Sequence, residues 1–176
     1  MIRYYVTDRQ GGDVLAYAAR AVSDGVDMIQ VREKDLPALE LFTLVSKIRD
    51  LAKGTKTRVL VNDRLDVPLA AGIDGVHLPG NGLPPRRVRP YVKCLGVSVH
   101  TIQEALEIEK ANADFIVFGP IFDSPGKTAV GLEPLREIVC SVKIPVLAIG
   151  GITAANVPEI IQAGAAGIAG IRFFQK

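Results

Sequence analysis

The sequence predicts an α/β protein, a lean (β/α)8 barrel of the TIM type formed by a single domain over residues 1–176. Three observations predict it. Eight apolar runs of strand length alternate with seven amphipathic or alanine-rich stretches, the pattern of βαβ units on a parallel sheet. A short motif, a turn ending in Asp or Ala and then a strand, occurs four times. Its copies are Gly25-Val26-Asp27, Gly72-Ile73-Asp74, Asn112-Ala113-Asp114 and Gly164-Ala165-Ala166, placed before the second, fourth, sixth and eighth runs. Such regularity favours four stacked modules closed on themselves. An open doubly wound sheet is the alternative, but the Gly-rich fingerprint of a first βα turn is missing.

The strands fall at 2–7, 28–32, 58–62, 75–78, 94–99, 115–119, 145–149 and 167–172. Helices are expected at 13–22, 36–51, 65–71, 85–91, 102–111, 133–142 and 154–163. Asp35 is read as the cap of the second helix, with Pro37 tolerated in its first turn. Thr101 and Glu104 form a capping box for the fifth, and Thr153 is read as the cap of the seventh. Eight units in 176 residues is lean beside the roughly 250 of an ordinary barrel, so the loops must be short. From Gly170 to Lys176 there is no room for a full eighth helix, which is therefore short or missing. Phe173 and Phe174 are expected at an uncovered seam between the last and first strands, to be closed by a partner subunit or by a longer natural chain.

Composition narrows the functional classes. Hydrophobic content of 48% without a charge-poor run of eighteen residues indicates a soluble globular protein with no membrane span. The chain enters its first strand at once, with no apolar signal segment, which suggests the cytoplasm. Cys94 and Cys140 are too few and too far apart for a metal motif and are read as small packed side chains. A net charge of +2 does not point to nucleic acid. The cluster Arg86, Arg87 and Arg89 reads as a solvated helix start.

Barrels of this kind collect chemistry at the C-terminal ends of their strands. Those positions hold Thr7 and Asp8, then Gln30, Arg32 and Lys34, then Asn62 and Asp63, then His77. Ser98 and His100 follow, then the Ser124–Lys127 loop, Gly150-Gly151 and finally Arg172. Arg32, Lys34 and Lys127, with hydroxyls, amides and a Gly-Gly turn, make an anion pocket suited to more than one phosphate. Asp63 could hold Mg²⁺ against a diphosphate. Other readings stand beside these: an Arg32–Glu33 ion pair, Asp66 as a helix cap, and His77 as a barrel histidine satisfied by its neighbours.

In seven motifs the chain resembles the thiamine-phosphate synthase/TenI superfamily over nearly its whole length. They end at Asp8, Lys34, Arg64, Leu78, His100, Phe122 and Ile152, and include Tyr5-Val6-Thr7-Asp8, Gly96-Val97-Ser98-Val99-His100 and Phe118-Gly119-Pro120-Ile121-Phe122. The resemblance implies a (β/α)8 barrel, often a homodimer, that binds small phosphorylated heterocycles. The synthase is a transferase that joins a pyrimidine-methyl diphosphate to a thiazole phosphate and releases diphosphate through a pyrimidine carbocation. By matching position, Gln30, Arg32, Lys34 and Asn62 would hold the diphosphate substrate, Ser98 would lie near it, and Asp63 would contact Mg²⁺. Ser124 and Lys127 would meet both anions, and Gly150 and Gly151 would offer N–H groups to the thiazole phosphate.

Three departures stand out. Gly82 occupies the position of a second acidic Mg²⁺ ligand, which weakens the metal site. Ser124-Pro125-Gly126-Lys127 replaces a Thr-x-Thr-Lys loop, and Arg172 replaces a serine. The His77-Leu78-Pro79 loop looks more like TenI, the metal-free thiazole tautomerase, yet that branch's histidine after the sixth strand is Pro120. The expected activity is therefore a synthase, with Arg32, Lys127 and His100 as catalytic candidates. The alternatives are a tautomerase using His100 or His77 as proton carrier and a non-catalytic relative that binds phosphorylated ligands.

Overall fold

Each apolar run becomes a strand of one closed parallel barrel. The structure is a computed structural model and describes residues 1–175. Its strands are β1 (Ile2–Val6), β2 (Met28–Val31), β3 (Arg58–Asn62), β4 (Gly75–Leu78), β5 (Cys94–Val99), β6 (Phe115–Phe118), β7 (Val146–Ile149) and β8 (Gly167–Gly170). They are ordered as in the sequence and close through β1–β8 pairing. The α-helices between them are α1 (Val14–Ser23), α2 (Ala38–Ala52), α3 (Asp66–Ala71), α4 (Pro85–Val88), α5 (Ile102–Lys110), α6 (Leu132–Ser141) and α7 (Val157–Gln162).

Alternation along the strands makes two apolar layers. Tyr4, Met28, Leu60, Cys94, Phe115, Val117, Leu147 and Ala169 fill the barrel interior. Tyr5, Ile29, Val31, Val59 and Val61 face outward and pack under the helices with Leu41, Val45 and Ile48. Interior positions near the N-terminal ends of the strands are thus plugged, and polar residues are left for the other mouth.

The fourfold motif has a physical basis. Asp27 accepts the Arg3 N–H at 2.7 Å, Asp74 that of Val59 at 3.2 Å, and Asp114 that of Leu95 at 2.6 Å. Each carboxylate sits just before an even strand and pins the backbone of the odd strand that precedes it in the chain. Ala166 has no carboxylate to offer; there the backbone carries the junction, with Ile2 N donating to Ala166 O at 2.9 Å.

Several local expectations are corrected. Asp35 does not cap α2, whose N-cap is Pro37 without a side-chain bond; it pairs with Arg9 instead. Thr153 does not cap α7, because that helix starts at Val157 and Asn156 fills the turn before it. The capping box at Thr101 is modified: Thr101 Oγ1 accepts from Glu104 N at 3.1 Å, but Glu104 reaches back to His100 N at 2.7 Å. Cys94 is buried as expected, whereas Cys140 is exposed. Arg89 is no solvated start but bonds to Asp114, Val92 O and Asn112 O. β8 runs into a turn in which Phe174 N donates to Ile171 O at 3.1 Å. The seam beside it is covered, since Phe174 is 8% exposed and packs on Tyr5, with ring centroids 5.8 Å apart.

Candidate functional site

Gln30 and Arg32 follow Met28 at strand spacing, so both belong to the interior side of β2. Gln30 is 3% exposed and its Nε2 has no hydrogen-bond partner. One layer higher, the Arg32 side chain has no carboxylate partner among the described residues. The alternative reading, an Arg32–Glu33 ion pair, does not hold. Glu33 is 6% exposed and faces away, accepting from Thr7 Oγ1 at 2.6 Å and from Arg9 N at 3.2 Å. Thr7 Oγ1 in turn accepts the Arg32 backbone N–H at 3.0 Å. The Thr7–Glu33–Arg9 network therefore consumes the nearest anion and fixes the backbone from which the free guanidinium projects. Sequence reading missed it; the adjacent Thr7 and Arg9 on the neighbouring strand end were the only signal.

β3 ends in Asn62, paired in register with His77. Asp63 then takes φ of 58°, a left-handed conformation uncommon outside glycine and a frequent mark of functional turns. Its N–H donates to His77 O at 3.0 Å, and its carboxylate makes no bond to a described residue. A Cβ on Gly82 would lie 2.8 Å from Asp63 Oδ1. The β4 loop thus carries the bare Gly82 backbone right against this carboxylate.

His77 is 4% exposed, and its Nε2 lies 2.8 Å from Ser98 Oγ. Burial, and secondarily the positive Arg32 nearby, lowers its pKa from 6.5 to about 3. A neutral imidazole follows at ordinary pH; of its two ring nitrogens only Nε2 is paired, so the histidine is not fully satisfied by its neighbours. His100 is exposed at the rim; only its backbone N–H is engaged, by Glu104. Lys34 is exposed on the turn after β2.

The loop after β6 is built around a tight turn. Ser124 N donates to Lys127 O at 3.2 Å and Lys127 N to Ser124 O at 2.9 Å. Pro125 and Gly126, the latter at φ of 73°, supply what a type II turn needs at its two central positions. Lys127 stands exposed at its end. The stem is tied to the end of β7, with Ile121 N on Ile149 O at 2.8 Å and Phe122 N on Gly150 O at 3.1 Å.

That close approach explains the two glycines. A Cβ on Gly150 would lie 2.3 Å from Pro120 Cβ, and one on Gly151 2.6 Å from Asp123 O. Both have positive φ, 98° and 63°. Asn156 holds the turn, donating from Nδ2 to Gly151 O at 3.0 Å and accepting from Thr153 N at 2.9 Å. The N–H groups of Gly150, Gly151 and Ile152 have no acceptor among the described residues. Arg172, after β8, is exposed and lines a cavity of about 440 Å³ with Asp8, Gln10, Gly11 and Gln175.

All the anticipated residues therefore sit at one mouth of the barrel, although on different parts of it. Gln30, Arg32, Asn62, Asp63 and Ser98 belong to β2, β3 and β5. Ser124, Lys127, Gly150 and Gly151 form a second group over β6 and β7, with Arg172 beyond them at β8. Free donors dominate, which suits anions. No group of three or more His, Cys, Asp or Glu able to hold a metal occurs among the described residues.

Sequence and fold are shared with known proteins. A sequence model described as thiamine monophosphate synthase matches residues 3–174. A thiamine-phosphate synthase of Methanocella arvoryzae is 41% identical, over 94% of this chain and 83% of that protein. One from Methanoculleus marisnigri is 40% identical with the same coverage. Among solved structures, a thiamine phosphate pyrophosphorylase from Pyrococcus furiosus superposes with a TM-score of 0.90 at 38% identity, over 97% of this chain and 85% of that one. A 3-hexulose-6-phosphate synthase, TM-score 0.71 and 18% identical, shares the fold alone.

Proposed function

The chain belongs to the thiamine monophosphate synthase family, and on that premise we propose that it joins a pyrimidine-methyl diphosphate to a thiazole phosphate. It is an enzyme of thiamine biosynthesis, a transferase. The observation that carries the reading is Arg32: a guanidinium left without a protein anion at the barrel mouth, above the partnerless amide of Gln30.

In the proposed reaction the bond from the pyrimidine methylene carbon to the diphosphate oxygen breaks, and the electron pair leaves with diphosphate. The thiazole nitrogen then attacks the cation. Stabilising the leaving group is the main task, and fixed donors do this well where water is scarce. Arg32, Gln30, Lys34, Asn62 and Ser98 receive the diphosphate. Lys127, with Ser124, meets it from the β6 loop and is positioned to neutralise charge as the bond breaks. The Gly150 and Gly151 N–H groups, joined by Arg172, hold the thiazole phosphate.

Mg²⁺ fits this site in a restricted way. Asp63 is a single unengaged carboxylate, and Mg²⁺ is commonly held by one or two carboxylates together with substrate phosphates. Asp63 would hold the ion, which when bound supplies positive charge to the leaving diphosphate. With Gly82 opposite, most of its coordination must come from the substrate and water.

A tautomerase reading is less well supported. His77 at a pKa of about 3 is too weak a base, and Pro120 offers no proton carrier. His100 would be left to act alone from an exposed position. A cytoplasmic homodimer that binds neither nucleic acid nor membrane goes with the synthase reading; no helix among the described residues is long and apolar enough to span a membrane.

The test is direct. Purified chain, Mg²⁺ and both substrates should yield thiamine phosphate and diphosphate, and Arg32→Ala should reduce kcat/KM by about a hundredfold or more. Absence of product would overturn the proposal. Isomerisation of a thiazole carboxylate phosphate above the rate in buffer would favour the tautomerase instead.

A further inference from the structure

Inside the barrel the His77 ring is held on three sides. Tyr4 and Phe115 lie with ring centroids 5.8 and 6.0 Å from it, and a Cβ on Gly96 would come within 2.7 Å of its Nδ1. Nδ1 is buried and has no hydrogen-bond partner, whereas Nε2 is 2.8 Å from Ser98 Oγ. A neutral imidazole carries one proton, and the two tautomers differ in what they leave unmet. With the proton on Nδ1, a buried N–H is orphaned; with it on Nε2, only a lone pair is. Orphaned N–H groups are the rarer and costlier of the two. The proton therefore belongs on Nε2, where it is donated to Ser98.

This choice determines what Ser98 offers a ligand. A hydroxyl has one proton and two acceptor sites. If Ser98 gave its proton to His77, only lone pairs would remain for the mouth, and they would repel an anion. With His77 as donor, the Ser98 proton is released for another acceptor. Ser98 is half-buried, and no described residue other than His77 bonds to its hydroxyl.

We propose that His77 is a positioning residue: by donating from Nε2 to Ser98 Oγ it obliges the Ser98 hydroxyl to donate into the barrel mouth, toward an anionic ligand oxygen. The proposal rests on the diphosphate reading of that mouth. It also explains a neutral, buried histidine at an anion site, where an imidazolium would add positive charge.

The experiment measures binding of inorganic pyrophosphate, with Mg²⁺, to the unmutated chain, Ser98→Ala, His77→Leu, His77→Gln and the double variant His77→Leu/Ser98→Ala. Losing a hydrogen bond to a charged oxygen should weaken binding by about tenfold to a hundredfold in Ser98→Ala. His77→Leu should lose nearly as much, and the double variant no more than Ser98→Ala alone. Glutamine, whose Nε2 can replace the imidazole donor, should restore binding to near the starting level. Nitrogen NMR of the unmutated chain should show His77 protonated at Nε2.

Losses that multiply in the double variant, unimpaired binding by His77→Leu, or an Nδ1–H tautomer would each overturn the proposal. If the unmutated chain fails to bind pyrophosphate, the diphosphate reading itself falls, and this proposal with it. If binding occurs but the cycle is additive, only the positioning role is lost. Should His77→Leu not fold, the tautomer decides: Nε2–H upholds the role and Nδ1–H refutes it.

Discussion

Replacing Gly82 by aspartate should turn a one-carboxylate site into a two-carboxylate site. The new Cβ would start 2.8 Å from Asp63 Oδ1 and 2.9 Å from Pro79 Cδ, so the Asp63 carboxylate must rotate and the loop must shift slightly. Gly82 does not have a positive φ, and the substitution therefore carries no left-handed strain. Two carboxylates about 4 Å apart near bulk water repel by about 1 kcal/mol, while a divalent ion at a similar distance gains about 2 kcal/mol from the added charge. The variant should accordingly be about 1 kcal/mol less stable in EDTA and recover in Mg²⁺. Its Mg²⁺ affinity in the presence of pyrophosphate should rise by about thirtyfold. Thermal unfolding in EDTA and in Mg²⁺, with calorimetric titration, reads both effects. An equal Mg²⁺ response in the two proteins would refute the placement of the metal at Asp63.

Three further outcomes are expected. The His77 pKa of about 3 in the folded chain, against 6.5 unfolded, means that the unfolded chain alone takes up this proton as pH falls through that window. Stability should drop by about 1.4 kcal/mol per pH unit from this group below 6.5, a slope that urea unfolding should find removed in His77→Gln. Lys127→Ala, at an exposed turn end, should leave the melting temperature unchanged while cutting synthase turnover at least tenfold in steady-state assays; an unchanged rate would exclude it from the site. Asp114→Ala orphans the Leu95 N–H and removes the anion paired with Arg89, and should cost about 2–3 kcal/mol in denaturant unfolding without altering pyrophosphate binding.

Much of the barrel was legible because its determinants are local and repeated. Strand-length apolar runs, and turn aspartates such as Asp74 that clamp a neighbouring strand, are written in short stretches of chain. Element ends were harder. Asp35 was drawn from its helix by Arg9, and Thr153 was displaced by Asn156, because a capping oxygen goes to whichever donor the packed chain brings nearest. Arg32 was anticipated as an anion ligand, but its freedom depended on Glu33 being occupied by Thr7 and Arg9, residues that follow another strand.

By itself, then, the sequence determined the number, order and direction of the strands and listed the donors that meet at their ends. Periodicity and spacing encode those features directly. Only the tertiary structure decided which charges cancel and which remain, that Gly82 backs onto Asp63, and that His77 and Ser98 share a hydrogen bond. These depend on contacts between strands distant in sequence, and the free energy of a charge or a proton is set by what surrounds it in space.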